Sequence, residues 1–289
     1  MTSIRLTILT LITMLCFAGN SVFCRLALRQ TAIDAASFTS VRLVSGALVL
    51  ALLVVGRQRF WRAVAARPAR LGGNWMSASV LFVYASALSF SYADMSTGIG
   101  ALLLFGAVQV TMILTGLWRG ERLNSLQTAG LVIALTGVVA ILSPKVDAPP
   151  LASALLMLTS GVAWGVYSLR GRGVADPTGD TAGNFVRAAP MALLLSALFL
   201  AHQDLNGQGV LYAVLSGAIT SGLGYAIWYA VLPQLTRTRA AAVQLSVPVL
   251  ASLAGALFVN EPITLGLMLT STAVLGGIAL VVYGKRTPV

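Results

Sequence analysis

The chain has 289 residues, of which 57% are hydrophobic and only 9% are charged, whereas about a quarter of the residues of an ordinary soluble domain are charged. So much apolar surface excludes a soluble globule, and a long hydropathic chain with two cysteines is neither a disordered nor a disulfide-stapled protein. A net charge of +11 would suit a nucleic-acid partner, but the basic residues fall between apolar runs, which indicates membrane topology and no nucleic-acid groove.

A membrane-spanning helix needs about 20 apolar residues, and ten segments qualify. We therefore predict an all-α integral membrane protein with ten transmembrane helices. The first segment is longer than the signal-peptide h-region of about 7 to 15 residues, so we expect it to be retained. The predicted spans are Ile4 to Cys24, Ala35 to Val55, Trp75 to Ala93, Gly98 to Trp118, Ser125 to Ser143, Leu151 to Leu169, Thr181 to Ala201, Gly209 to Val231, Thr238 to Asn260 and Ile263 to Gly284.

The two cysteines lie on the first predicted helix. Cys16 and Cys24 are eight residues apart, which is about 12 Å along a helix axis and too far for a disulfide bond. We interpret them as residues of helix packing.

Lysine and arginine are distributed unequally between the loops. If the N-terminus is cytoplasmic, 14 of the 19 basic residues lie in or next to cytoplasmic loops and 3 lie in external loops, while Arg42 and Arg187 lie within spans. This bias predicts that both termini are cytoplasmic.

The two halves of the chain repeat. Val41-Arg42 aligns with Val186-Arg187 at an offset of 145, and the stretch 121–141 aligns with 261–281 at an offset of 140. We therefore predict two five-helix units, residues 1–145 and 146–289, in one transport unit. Because five spans is an odd number, the second unit is inverted in the membrane, as in many transporters.

The ninth span has a polar centre that contains a proline. Gln244, Ser246 and Pro248 interrupt about eighteen uncharged residues, and a proline in lipid is tolerated where neighbouring helices or a cavity satisfy the backbone. The alternative is that the polar groups only join helices. At matching depth the fourth span has Leu104, Gly106 and Val108, small or apolar groups that would leave room for a large side chain, and Gln109 lies about one turn beyond Leu104.

Aromatic residues on the third, sixth and eighth spans are candidates for the remaining walls of a substrate site. Rings with a polar tip suit amino-acid side chains, and tryptophan suits an ammonium group. The alternative is an interfacial belt, to which Trp61, Trp75 and Trp118 belong by their position at span ends. The candidates are Phe82, Tyr84, Tyr92, Trp164, Tyr167, Tyr225 and Trp228.

Arg42 and Arg187 are ionisable residues within predicted spans, which by default suggests a function. A gating contact and a structural anchor that reaches the interface both remain open. The acids Asp94, Glu121 and Glu261 lie at span ends, where we expect gating or structural roles. Since proton-driven carriers usually keep an acid or a histidine within the spans, we hypothesise downhill export or loosely coupled exchange.

Signatures of enzymes are missing from the sequence. His202 is the one histidine, so HExxH, metal-ligand clusters and Ser/His/Asp sets are excluded. We expect no catalytic residue, no cofactor and no metal. The small residues of 251–256 and Gly276-Gly277 are typical of close helix packing.

Several motifs resemble one transporter family. Trp164-Gly165 opens the second unit, and a glutamate closes each fourth span, in Gly120-Glu121-Arg122-Leu123 and Asn260-Glu261-Pro262-Ile263. These features resemble the EamA branch of the drug/metabolite transporter superfamily. Leu81-Phe82-Val83, Ala87-Leu88-Ser89 and the run 241–252 are most similar to its YddG-type amino-acid exporters.

The resemblance implies a ten-helix exporter of aromatic and other amino acids in a bacterial-type inner membrane. It also implies a central cavity lined by the first, third, fourth, sixth, eighth and ninth helices. The sequence departs from the pattern near that cavity: Ala107-Val108-Gln109 lacks the usual proline, and Phe17-Ala18-Gly19-Asn20 replaces a Trp-Gly pair. Phe17 and Asn20 are therefore further candidates for contact with the substrate.

The sequence thus predicts a secondary transporter that exports amino acids, aromatic or large neutral ones, by alternating access. We expect a lipid bilayer around it, a small-molecule substrate, and a monomer or weak homo-oligomer. Efflux of other small metabolites or drugs is the alternative within the same class, and a lipid flippase is the alternative from another class. A lipid path would need a groove beside the ninth helix that opens to the bilayer.

Overall fold

The computed structural model describes residues 3–61, 71–120, 122–143, 149–235 and 237–284. Within these ranges the chain is helical apart from its connections, and no strand occurs. The all-α prediction is therefore confirmed. The α-helices are α1 (Ser3–Gln30), α2 (Ala35–Trp61), α3 (Trp75–Tyr92), α4 (Thr97–Trp118), α5 (Ser125–Leu142), α6 (Leu151–Arg170), α7 (Pro177–Leu198), α8 (Gly207–Val214), α9 (Gly224–Val231), α10 (Arg237–Gln244), α11 (Ser246–Val259) and α12 (Leu265–Tyr283).

Each of the ten predicted spans corresponds to helix in the structure. By length and composition, eight of the described segments can cross a membrane, and a shorter apolar helix covers 242–258. The remaining span is α3, with 18 residues. Large apolar side chains cover the outside of the bundle, including Leu257, Val139 and Trp118, as expected where lipid replaces water.

Polar caps define where several helices begin. Asn124 and Gln127 form a capping box at α5, and Asp176 accepts a hydrogen bond from the backbone N–H of Gly179 at the start of α7. These side chains satisfy N–H groups that have no partner within the helix. The cap at Asp176 places the start of α7 four residues before the predicted Thr181.

Two spans depart from a continuous α-helix. The eighth span joins α8 to α9 through a π-helical segment, Leu215–Leu223. The ninth span is interrupted at Leu245, between α10 and α11. Pro248 causes this break because it has no N–H for the carbonyl of Gln244 and its ring would clash with that carbonyl.

The set of helix pairs that pack together stays the same when each span of one half is replaced by its counterpart in the other half. The second and seventh spans pack together (α2 with α7), as do the fifth and tenth (α5 with α12) and the fourth and ninth (α4 with α11). The third packs on the sixth, and the first packs on the eighth. At the contact of α5 with α12, a Cβ on Gly277 would lie 2.5 Å from the carbonyl oxygen of Gly130. Gly277 therefore allows the close helix packing that we predicted. Gly276 has open space around it and does not take part in this contact.

The cysteines behave as expected for packing residues. Both are free thiols, and Cys24 is buried. A Cβ on Gly224 would lie 2.9 Å from the Cβ of Cys16, so Cys16 packs against the eighth span.

Candidate functional site

A cavity of about 430 Å³ lies in the middle of the bundle and reaches one end of it. Its mouth is formed by the connection between α6 and α7 and by the segment that precedes α10. We call this end, which contains Arg172 and Pro233, the predicted cytoplasmic end, because the loop charges assign it there. The opposite end, which contains Asp94 and Glu261, is the predicted external end.

Aromatic side chains form the inner end of this cavity. Trp164 of α6 lies with its ring centroid 5.0 Å from that of Tyr225 and 5.6 Å from that of Tyr167. Phe17 packs edge-on against Tyr225 at 5.9 Å and against Trp228 at 5.8 Å. Residues three apart share a helix face, so α6 and α9 each present two rings to one place.

Two amides from different halves of the chain line the same cavity. Gln109 is in the middle of α4, and Gln244 is the last residue of α10. The Gln109 side chain is buried, and its Nε2 has no hydrogen-bond partner among the described residues. A buried amide donor without a partner is costly, so this group is available to a ligand.

A small polar pocket lies on the far side of the aromatic rings. It has room for about 10 Å³ and is lined by Asn20, Tyr84, Leu104, Trp164 and Tyr225, among others. The hydroxyl of Ser216, in the π-helical segment, donates to Oδ1 of Asn20 at 2.6 Å. Nδ2 of Asn20 and Nη2 of Arg42 both donate to the hydroxyl oxygen of Tyr84, at 3.1 and 3.2 Å. π-Helical segments occur frequently at functional sites.

An ion pair lies at the predicted external end, where both of its residues line a cavity of about 340 Å³. Nε of Arg25 donates to Glu261 Oε1 at 2.9 Å, and the backbone N–H of Thr97 donates to Oε2 at 2.7 Å. Nη1 of Arg25 also donates to the carbonyl oxygens of Tyr92 and Ala93 at 2.9 Å. The carboxylate thus lies at the N-terminus of α4, where the helix dipole favours an anion. We call Arg25, Glu261 and Thr97 the external contact.

The backbone conformation of Asn260 places Glu261 at the external contact. Asn260 has a φ of 57°, and the N–H of Glu261 donates back to the carbonyl of Gly255. Asparagine tolerates this left-handed conformation better than most residues, and Pro262 prevents α11 from continuing. The chain therefore turns back toward α4 as soon as α11 ends.

Hydrogen bonds also join the halves at the predicted cytoplasmic end. Arg187 donates from Nη1 to the carbonyls of Gly72 and Gly183 at 2.7 and 2.8 Å. Arg170 donates to Ser77 and Asn74, and Arg57 pairs with Asp176. Asn74, Ser77 and Arg170 line a neighbouring cavity of about 80 Å³, and none of the residues in these contacts lines the large cavity.

The structure brings together most of the predicted aromatic and amide residues. Gln109, Trp164, Tyr225, Trp228 and Gln244 line the large cavity. Four more line the small pocket: Phe17, Asn20, Tyr84 and Leu104. Tyr167 stacks on Trp164 and accepts a hydrogen bond from Asn184 beside a further cavity of about 80 Å³.

Other predicted residues lie away from these cavities. Gly106 faces Val138 and Val274, Ser246 bonds to the carbonyl of Val243, and Pro248 is buried at the break. Phe82 is half-buried against the core, and the Tyr92 hydroxyl donates to the carbonyl of Thr97. These residues do not line a cavity because the depth of a residue along a helix does not determine which way its side chain points around the helix axis.

The predicted gating residues lie at several places. Glu261 makes the external contact, Asp94 accepts a hydrogen bond from Ser153, and Arg187 binds backbone carbonyls. Arg42 is buried beside Tyr84. Glu121 and the side chain of Trp61 lie outside the described residues.

Sequence reasoning missed Arg25, Thr97 and Ser216. Arg25 was assigned to an external loop, but α1 continues to Gln30 and carries it on the helix. The signal for Ser216 was the dense run of small and hydroxyl residues between 216 and 224, which is compatible with close approach of neighbouring helices.

A helical bundle that is apolar on its outside and contains a central aromatic cavity open at one end has the architecture of a multi-pass membrane transporter. The model of the EamA-like transporter family matches residues 5–143 and 151–283. The chain belongs to this family.

Two of the three relatives that follow are named as a transporter or an efflux pump. The chain is 55% identical to an uncharacterized protein of Pseudomonas aeruginosa over 96% of this chain and 94% of that protein. It is 26% identical to an uncharacterized transporter of Archaeoglobus fulgidus, over 83% and 85%. A probable amino-acid metabolite efflux pump of Escherichia coli is 25% identical, over 66% of this chain and 69% of that protein.

A solved crystal structure has the same fold. It matches 97% of this chain and 98% of its own, with a TM-score of 0.65 and 17% identity.

Proposed function

We propose that the protein exports amino acids, aromatic or large neutral ones, across a bacterial inner membrane by alternating access. The large cavity carries this proposal because it combines Trp164, Tyr225 and Trp228 with the amides of Gln109 and Gln244. Pockets for small molecules are commonly about 300 to 1,000 Å³ and are mainly apolar with a few placed polar groups. A cavity of about 430 Å³ suits an amino acid with a large side chain.

The similarity to a probable amino-acid metabolite efflux pump of Escherichia coli supports the same substrate class. The external contact supports alternating access, because Arg25 on α1 and Glu261 after α11 join the two halves at the end opposite to the mouth. We take this arrangement as the state open to the cytoplasm. Export then requires the external contact to break while the predicted cytoplasmic end closes.

The proposal is tested with the purified full chain in proteoliposomes. Vesicles are loaded with labelled phenylalanine, tryptophan or leucine, and efflux and counterflow are measured against protein-free vesicles. We expect saturable flux that competing amino acids reduce. Absence of saturable flux for every amino acid would overturn the proposal.

Two further assays address the alternatives. Saturable flux of other organic solutes alone would indicate metabolite or drug efflux, and movement of labelled lipid between leaflets of the same vesicles would indicate a flippase. Direction in the cell is tested by growth on toxic amino-acid analogues, where expression of an exporter should raise resistance.

A further inference from the structure

Arg42 is a buried cation that lacks a full set of partners. Its side chain is 1% exposed on α2. Nη2 donates to the Tyr84 hydroxyl at 3.2 Å, and Cζ lies 5.3 Å from the centroid of that ring. Nε and Nη1 have no hydrogen-bond partner among the described residues, and no described acid pairs with the guanidinium.

This arrangement differs from that of a structural arginine. Burial of an unpaired charge is expensive, and arginines within membranes normally pair or bind backbone carbonyls. Arg187, which aligns with Arg42 in the repeat, does so through Gly72 and Gly183. The free N–H groups of Arg42 therefore indicate a site whose acceptor comes from a ligand.

The groups around Arg42 are mainly donors. The Tyr84 hydroxyl oxygen already accepts from Asn20 and Arg42, so its own proton remains available. The Tyr225 hydroxyl is buried and has no hydrogen-bond partner among the described residues, and Tyr225 lines the small pocket together with Tyr84. A cation with two hydroxyl donors suits an anion, and charge-assisted hydrogen bonds to a carboxylate are among the strongest in proteins.

Tyr84 and Tyr225 connect this group to the transport cavity, whereas Arg42 is hydrogen-bonded to Tyr84 and lines neither cavity itself. The small pocket beside Asn20 and Tyr84 holds about 10 Å³, which is room for one water molecule at most. Trp164 and Tyr225 line both this pocket and the large cavity. A solute in the large cavity is therefore separated from the pocket by these two rings, and their displacement would let its anionic group reach Arg42.

We propose that Arg42, together with the hydroxyls of Tyr84 and Tyr225, is the subsite that binds the carboxylate of the transported solute. The identification of that solute as an amino acid rests on the proposed function. The carboxylate subsite itself is testable with simpler acids.

The test compares acids with their amides on the purified full chain. Binding of phenylacetate, phenylacetamide, phenylalanine and phenylalaninamide is measured by quenching of intrinsic tryptophan fluorescence and by thermal shift. We expect the wild type to prefer the acid of each pair by about tenfold or more, as a charge-assisted hydrogen bond allows. Arg42→Gln should reduce that preference to less than about threefold and leave affinity for phenylacetamide unchanged.

Two variants control the result. Arg187→Gln removes the aligned arginine and should leave the acid preference as in the wild type. Tyr225→Phe removes only a hydroxyl that has no partner among the described residues, so it should fold and lower the preference a few-fold. If Arg42→Gln does not give a monodisperse protein, Tyr225→Phe decides: an unchanged preference in that variant overturns the proposal.

The outcomes separate this subsite from the proposed function. A wild type that does not distinguish acids from amides, or a preference that survives Arg42→Gln, overturns the subsite even if amino acids are transported. An acid preference that depends on Arg42 supports the subsite even if no amino acid is transported. In that case only the proposed function, export of amino acids, is overturned.

Discussion

The amide of Gln244 lies at the edge of the large cavity, at the end of α10. We predict that Gln244→Ala raises the Michaelis constant for amino-acid counterflow by about three- to tenfold, because a typical hydrogen bond contributes about 0.5 to 1.5 kcal/mol. Expression and monodispersity should stay as in the wild type. Relative affinities for a series of amino acids, measured in proteoliposomes, check the change in selectivity.

Ser246 provides the control for this substitution. Its hydroxyl donates to the carbonyl of Val243 within the same segment, so Ser246→Ala should leave selectivity unchanged. If Gln244→Ala leaves transport of every substrate untouched, the substrate lies along another wall of the cavity.

Trp164 stands between the large cavity and the small pocket. We predict that Trp164→Ala lowers the affinity for aromatic substrates by about tenfold or more, because a ring contact contributes about 0.5 to 1.5 kcal/mol beyond its buried area. Trp164→Phe keeps a ring and should retain most of the affinity. Counterflow measures both.

The exposed Trp118 is the matched control, since its side chain is 91% exposed at the end of α4. Trp118→Ala should not change substrate affinity. Equal losses from both tryptophan substitutions would mean that Trp164 acts through general stability.

Residue types predicted the site better than residue positions did. Trp164 and Tyr225 could be chosen from sequence because large rings with polar tips in the middle of a span are unusual lipid-facing residues. Gly106 and Ser246 lie at the expected depth, but helix rotation turns both away from the cavity. The partners of Arg42 were not predictable, since they come from helices distant in sequence.

Pro248 shapes the ninth span. It lacks an N–H for the carbonyl of Gln244, and α10 ends at that residue. We predict that Pro248→Ala restores this hydrogen bond, raises the midpoint of thermal unfolding and lowers turnover several-fold, because a continuous helix has lost its hinge. Thermal shift and proteoliposome flux measure the two effects.

Another proline within a helix provides the comparison. Pro190 lies inside α7 and is exposed. Pro190→Ala should raise thermal stability without a loss of turnover. A Pro248→Ala variant with normal turnover would show that the break is not used during transport.

The external contact joins α1, α4 and the end of α11. Arg25 and Glu261 are 11% and 14% exposed, and removal of one partner of a largely buried pair leaves the other charge uncompensated. We predict that Glu261→Gln opens this end. A cysteine at Leu104, in a background with Cys16 and Cys24 replaced by alanine, should then react several-fold faster with an impermeant maleimide added outside intact cells.

Arg57 pairs with Asp176 at the other end of the molecule. Arg57→Gln should not increase labelling of the same cysteine from outside. If Glu261→Gln leaves the labelling rate of this cysteine unchanged, the external contact stabilises the fold and does not act as a gate.

Element boundaries show where sequence patterns fail. Ten apolar segments predicted the helices because lipid requires each span to satisfy its own backbone. The extension of α1 past Arg25 was not visible, since an arginine in the last turns can contact Glu261 and backbone carbonyls. The π-helical segment was also missed, because its glycines and serines do not distinguish it from an ordinary packed helix.

At the scale of the whole molecule, the spans of one half pack against spans of the other half. The corresponding residues of the two halves nevertheless differ in their chemistry. The pairs of α2 with α7 and of α5 with α12 relate one half to the other. The fourth span is continuous, whereas its counterpart is broken at Leu245. Arg42 is buried, and Arg187 binds the backbone at the opposite end. The large cavity is lined by residues of both halves, so the site belongs to neither half alone.

The distribution of acids leads to a prediction about energy coupling. The described acidic residues lie at helix ends or in connections: Asp34, Asp94, Asp176, Asp180, Asp204 and Glu261. Arg42 cannot exchange its proton, because arginine stays charged in proteins. A carboxylate or histidine that could carry a proton in the middle of the bundle is therefore not among the described residues. We predict that an imposed pH gradient, of either sign, drives no uphill accumulation of substrate in proteoliposomes, while an outwardly directed substrate gradient drives counterflow.

The measurement is the internal to external ratio of labelled phenylalanine at steady state, with and without a protonophore. Asp94 and Glu261 are the acids at the predicted external end, so Asp94→Asn and Glu261→Gln complete the experiment. Asp94→Asn should leave the steady-state ratio unchanged. Glu261→Gln should change rates through the external contact and leave that ratio as it is, because a gate affects both directions of flux equally. Uphill accumulation that the protonophore and Asp94→Asn both abolish would instead assign proton coupling to the external end.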